Sequence, residues 1–196
     1  MIKFLPLSIL FAFLSLHLSA QENISGNKDF KISTGIGLAS ATKNAKSPGI
    51  DLWTAFDYKI AKHFSITMEF EQMNYKKPGY DPAPPNIPNE IKVYDNNFSL
   101  LAKYHFPATN KLNFALGCGW TFCVKQSDYF IYEKYSLNQS WLRNVSSFSS
   151  YKIPFMGEAS YAISKKLGVI ARAKYNLDIE GYGDAYSVSI GLSLKL

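Results

Sequence analysis

Residues 151–177 read YKIPFMGEASYAISKKLGVIARAKYNL. In its first half Phe155, Gly157, Ala159, Tyr161 and Ile163 alternate with Met156, Glu158, Ser160 and Ala162. After 164–166 the pattern resumes, with Leu167, Val169, Ala171, Ala173, Tyr175 and Leu177 set against Ile170, Arg172, Lys174 and Asn176. A period of two over about ten residues is a strand with unlike faces. Two such runs on either side of a tight turn make an antiparallel hairpin. If the turn joins Ile163 to Leu167, Glu158 lies opposite Arg172, both on the mixed face.

The same alternation recurs along the chain. Segments 30–39, 50–60, 64–71, 97–106, 112–124 and 186–196 join 155–163 and 167–177. The connectors 61–63, 107–111 and 164–166 are tight, whereas 40–49, about 74–92, about 125–148 and 178–185 are longer. Short and long connections alternate strictly, as expected when the two ends of an up-and-down barrel face different environments. The spacing therefore predicts an all-β, eight-stranded antiparallel up-and-down transmembrane β-barrel over 30–196.

One face of each segment is continuously apolar, and its aromatics gather towards the strand ends. Tyr58, Phe64, Tyr104, Phe106 and Tyr161 sit near the short turns. Phe70, Phe98, Trp120, Phe122, Phe155, Tyr175 and Tyr186 sit towards the long connectors. Two aromatic belts around an aliphatic band match the two interfaces of a bilayer. The other face mixes Gly, Ser and Ala with charge, which suits a cramped interior. Alternation alone does not say which face is inside, so a soluble, lipocalin-like exported barrel holding an apolar ligand stays open.

Of the 196 residues, 1–20 (MIKFLPLSILFAFLSLHLSA) form an expected signal peptide. Lys3 supplies the positive end, Phe4 to Leu16 the apolar stretch, and Leu18-Ser19-Ala20 the cleavage site. Residues 21–29 would be a short periplasmic tail. Aromatics make up 15% and charged residues 18%, with 13 Tyr and 14 Phe, which excludes disorder and coiled coils. The formal charge of +6 has no concentrated basic patch behind it, so no nucleic-acid partner is expected. Cys118 and Cys123 lie five residues apart in one expected strand, about 16 Å apart and on opposite faces, too far for a disulfide.

The mixed face carries Asp51, Asp57, Glu69, Glu71 and Glu158 against Lys59, Lys103, Lys111, Arg172 and Lys174. Mutual pairing is expected, centred on one cluster of Glu69, Lys103, Glu158 and Arg172. Eight strands leave room for little beyond side chains, so such pairs would close the lumen. Pro154 is an expected bulge that would reverse the facing of Lys152.

Acyl-transfer and hydrolytic chemistry needs a histidine base beside a nucleophile. Beyond the leader the chain has only His63 and His105, both at short turns. His63-Phe64-Ser65, followed by Glu69 and Glu71, resembles superficially the His-x-Ser arrangement of lipid A deacylases, at the wrong end for the outer leaflet. No phosphate loop, dinucleotide fingerprint or metal-ligand spacing is present, and no enzyme activity and no cofactor are expected. Specificity falls to the connectors. Residues 76–90 carry five prolines and Tyr80, and 125–148 carry Tyr129, Phe130, Tyr132, Tyr135, Trp141 and Arg143. Exposed aromatics with arginine can bind protein or glycan. Equally, the second segment can simply prolong the two flanking strands.

With KYHFPATNKLNFALGCGW (103–120) and the 151–177 hairpin in view, the chain resembles small outer-membrane β-barrels of Bacteroidota, PorT-like proteins among them. Its architecture is similar to the eight-stranded membrane domain of OmpA. Ser189 to Leu196 (SIGLSLKL) resembles the C-terminal signal read by the barrel-insertion machinery, with Leu196 in place of the usual Phe. The resemblance implies a monomeric outer-membrane protein whose partners are outer-membrane lipid, that machinery during assembly, and an extracellular protein or glycan. It carries over no catalytic residue.

Overall fold

A computed structural model describes residues 30–41, 47–78, 90–107, 109–133, 140–180 and 183–196; side chains are described for these except at 107, 130–133 and 140–142. The leader, the 21–29 tail, Tyr80 and Tyr135 lie outside the described residues.

Eight strands follow in order: β1 (Phe30–Ala41), β2 (Ser47–Ala61), β3 (Phe64–Pro78), β4 (Glu90–Pro107), β5 (Leu112–Glu133), β6 (Ser140–Ala162), β7 (Leu167–Asp178) and β8 (Ala185–Lys195). Each pairs antiparallel with its sequence neighbours, and β8 closes on β1 to complete a barrel. Closure is finished at the terminus by the Leu196 amide, which donates to the Phe30 carbonyl at 2.9 Å. The start of β1, the end of β8 and turns 62–63, 109–111 and 163–166 therefore share one end of the barrel.

The period-two pattern sets the facing. Leu38, Leu116 and Ile190 are 62%, 61% and 68% exposed on the outside. Their inward neighbours Gly37, Ala115 and Ser189 are small, and Ala115 and Ser189 are buried. A continuous apolar girdle of this kind cannot rest against water and marks a lipid-facing wall. Small residues opposite it let long charged side chains fill the inside. Trp53 packs flat on one such gap: a Cβ at Gly35 or Gly191 would meet its ring at 2.7 Å.

The strands run longer than the alternation alone indicates. β3 and β4 extend to Pro78 and Glu90, and β5 and β6 continue to Glu133 and Ser140, so most of 125–148 prolongs two strands. Pro154 carries no bulge. Cys118 pairs with Phe155 and Thr121 with Lys152 in one continuous register, so Lys152 points inward and is buried. The proline removes one donor from the ladder without shifting it. Cys118 is exposed and Cys123 buried, both free thiols, as odd spacing on a strand requires.

Candidate functional site

The charged interior joins mostly strands that are not neighbours. Near the short-turn end, Lys103 Nζ on β4 reaches Asp57 Oδ1 on β2 and Glu158 Oε2 on β6, each at 2.9 Å. Lys31 on β1 binds the same two carboxylates at 3.3 and 3.1 Å, completing a four-membered ring. Thr67 also donates to Asp57.

A second group occupies mid-barrel. Lys174 Nζ on β7 lies 2.6 Å from Glu69 Oε1 and 2.8 Å from Glu71 Oε2, both on β3 across the lumen. Arg172 pairs with Glu69, with Glu71 at 2.9 Å and with Asp51 at 3.5 Å. Its Nε donates to Ser189 Oγ at 2.9 Å, and its guanidinium lies 3.9 Å from the centre of the Trp53 ring.

A third group sits towards the opposite end. Lys152 Nζ is 2.7 Å from Asp95 Oδ2, Lys125 lies 3.9 Å from Asp95 and 3.8 Å from Asp178, and the Tyr75 hydroxyl donates to Asp95 at 3.2 Å. Asn97 bridges this group to the middle one by donating to Glu71 at 3.1 Å.

The expected single cluster is thus divided. Glu158 does face Arg172 in register, as the turn arithmetic requires. The two do not pair, because Glu158 is taken by Lys103 and Lys31 while Arg172 turns to β3. Glu69, Lys103, Glu158 and Arg172 are all buried, in two groups. Lys59 and Lys111, expected inside, are exposed at the short-turn rim. A register shift follows Lys59, and Lys111 precedes the first residue of β5. The group around Asp95, Lys125 and Lys152 was missed, because its residues lie beyond the segments where alternation is most regular.

His105 and Ser65 meet inside the short-turn end. The Asn113 amide donates to His105 Nδ1 at 3.1 Å, which leaves Nε2 to donate to Ser65 Oγ at 2.8 Å. In that tautomer the Nε2 facing the serine carries the proton, and the ring's lone pair lies on Nδ1, held by Asn113. His63 bonds the His105 carbonyl oxygen through Nδ1 at 3.1 Å.

Of the connector residues, Arg143 is exposed and chelates Asp128 through Nε at 2.8 Å and Nη2 at 2.5 Å. This bidentate bond holds the Asp128 carboxyl below the usual carboxylate range. The Tyr129 hydroxyl accepts from the Asn144 amide at 2.9 Å. Phe130 and Tyr132 lie on β5 and Trp141 on β6, with Tyr132 in register with Trp141; their side chains lie outside the described part.

The chain combines a closed ring of strands, an outward apolar girdle and inward charge. The fold is that of small outer-membrane β-barrels. Neisserial surface protein A superimposes with TM-score 0.57 at 16% identity, over 85% of this chain and 97% of that one. Ail, the attachment invasion locus protein of Yersinia pestis, solved with the heparin analogue sucrose octasulfate, gives 0.58 at 10%, covering 87% and 100%. A major outer membrane protein from Thermus thermophilus gives 0.64 at 10%, also covering 87% and 100%. No family model matches the chain, and no curated protein matches it in sequence.

Proposed function

We propose that the chain is an exported, non-enzymatic integral protein of the outer membrane with a closed, salt-bridged interior. It acts in envelope integrity or surface interaction through the end opposite the short turns. That end faces outward and the termini face the periplasm. Its partners are outer-membrane lipid, the barrel-insertion machinery during assembly, and an extracellular protein or glycan; it works as a monomer. The observation carrying this reading is the set of three inward charge groups, each joining strands that are not neighbours, the middle one from β7 to β3 across the lumen. Each fills the bore with side chains whose bonds would have to break for an ion to pass. The structural likeness to Neisserial surface protein A and Ail supports a surface-exposed barrel. The resemblance to Bacteroidota and PorT-like barrels adds a role in protein secretion as a narrower form of the same reading.

The test combines two measurements. Carbonate-washed outer membranes should retain the protein, with a heat-dependent shift in gel mobility. The folded protein in a planar bilayer should show no steady open channel. Recovery in the soluble fraction without a mobility shift would remove the membrane assignment; a stable conducting state would remove the closed interior.

A further inference from the structure

The barrel is taller on one side. On β7 and β8 the aromatic pair Tyr175 and Tyr186 stands close to the strand ends at Asp178 and Ala185. On β3 to β6 the aromatic row Phe70, Phe98, Phe122 and Tyr151 runs in register across four strands, and the strands continue well beyond it. What the outward face of this extension carries is ordered in rows. Next above the aromatics come Gln72, Asn96, Val124 and Ser149, and then Asn74, Tyr94, Gln126 and Ser147. Above those come Lys76, Lys92, Asp128 and the exposed Val145, with Arg143 one step further on β6.

Six residues separate Phe70 from Lys76, about 20 Å of strand, or about 15 Å of height at the usual barrel tilt. The rows thus pass from aromatic, through mainly amide and hydroxyl, to charged over about that height. Like charges directly opposite one another on a sheet are destabilising, yet Lys76 and Lys92 are cross-strand partners. Lys76 has Glu90 at 2.7 Å and Asp128 is engaged by Arg143. Lys92 is exposed and makes no ion pair among the described residues. Three cations therefore stand with two carboxylates, and Lys92, which faces Asp128 in register, shares the charge of that carboxylate with Arg143. Val124 is the one apolar residue within these two rows, and amides with a tyrosine hydroxyl are the groups that bond sugar hydroxyls.

From this order we infer that the outward face of β3 to β6 binds a phosphorylated glycolipid of the surrounding outer leaflet. Its acyl chains lie on the aromatic row, its sugars on the amide rows, and an anionic phosphate between Lys76 and Lys92. The occupant is a lipid of the same membrane, because the surface points sideways, continuous with the lipid-facing girdle. The inference rests on the outward orientation proposed above.

The test uses the folded full-length mature chain in detergent, titrated with rough lipopolysaccharide and with the same material after dephosphorylation, reading bound glycolipid by native mass spectrometry. Wild type should bind the phosphorylated form at least tenfold more tightly than the dephosphorylated form. Lys76→Gln with Lys92→Gln should remove that preference, whereas Lys165→Gln with Lys166→Gln in the far turn should keep it. Each variant is first checked for the heat-dependent mobility shift. Should the double variant not fold, Gln126→Leu, which alters no charge, replaces it and should weaken binding of the glycolipid several-fold. Equal binding of both glycolipid forms by wild type, or unchanged binding by the variants, would overturn the inference. So would displacement of the glycolipid by a soluble sulfated oligosaccharide, which would make the occupant a soluble polyanion. Orientation is read separately. Ser147→Cys or Lys165→Cys, in a Cys118→Ala, Cys123→Ala background, is labelled on intact cells with an impermeant maleimide. Labelling at 147 alone supports the orientation; labelling at 165 alone overturns it, while the micelle titration stands by itself.

Discussion

The Arg172 guanidinium is stacked 3.9 Å above the Trp53 ring, and that ring in turn lies against the bare backbone of Gly35 and Gly191. A cation held on an aromatic face in a desolvated site contributes about 2 kcal/mol. Here the ring also fixes the height at which Arg172 meets Glu69 and Glu71. Gly191→Val would drive a side chain into both the ring and the Thr34 carbonyl, which stands 2.3 Å from the added Cβ. Overpacking of this kind costs about 1–3 kcal/mol. The expected result is a lower denaturant midpoint for the barrel in lipid vesicles, with Trp53 emission shifted; an unshifted midpoint would mean that the notch is not filled.

Removing Arg172 should be costlier than removing its ring. Arg172→Ala leaves Asp51, Glu69 and Glu71 with Lys174 as the remaining cation of their group. Breaking one partner out of a buried pair costs about 3–5 kcal/mol. In a double-mutant cycle, Arg172→Ala combined with Glu69→Gln should lose less than the sum of the two single changes. Strict additivity would show that the pair is uncoupled.

Sequence alone brought Glu158 opposite Arg172, and the register is as the hairpin turn dictates. It did not reveal whom either would bind. Pairing between adjacent strands follows from turn length, but contact across a lumen depends on barrel diameter, stagger and side-chain reach, and no local pattern records those. Lys103 reaches two strands away in each direction to Asp57 and Glu158. For the same reason the Asp95, Lys125 and Lys152 group was invisible. Their strand ends alternate polar with polar, as Asn96 and Asn97 do, so period two gives no contrast there. Eight strands were legible because lipid on one side and charge on the other make the contrast as large as it can be.

The two thiols offer a direct check of facing. Cys118 is exposed on the outer wall, among girdle residues such as Leu116 and Trp120, whereas Cys123 is buried in the interior. In folded protein a membrane-soluble maleimide should modify Cys118 alone, a charged aqueous maleimide neither, and both should react after denaturation. Rapid aqueous labelling of Cys118 in vesicles would place that wall in water.

Acid should loosen the Asp128–Arg143 bond of the β5–β6 extension. The bidentate hydrogen bond from Arg143, and then the charge of Arg143 and of Lys92, lower the Asp128 carboxyl below its ordinary 3.8. A carboxyl depressed in the folded chain contributes stability above its unfolded value, and that contribution is lost as pH falls through the lower folded value. The carboxyl carbon of Asp128 should therefore titrate below its neighbours by NMR, and Arg143→Gln should return it towards the ordinary range. Titration at the ordinary value in both proteins would mean that the bond is not kept in solution.

The mid-barrel ties join strands far apart in the chain: Arg172 and Lys174 meet Glu69 and Glu71 across more than a hundred residues. Such bonds have no meaning in an open, partly inserted sheet, where the same lysines and carboxylates are still hydrated. They become available together, when β8 docks on β1. Sealing the seam is thus also the moment at which the interior dries. Leaving the membrane would demand that the seam part and this group rehydrate at once. Assembly and disassembly then follow different routes, and a barrel of modest equilibrium stability can persist in its membrane far longer than that stability alone would allow.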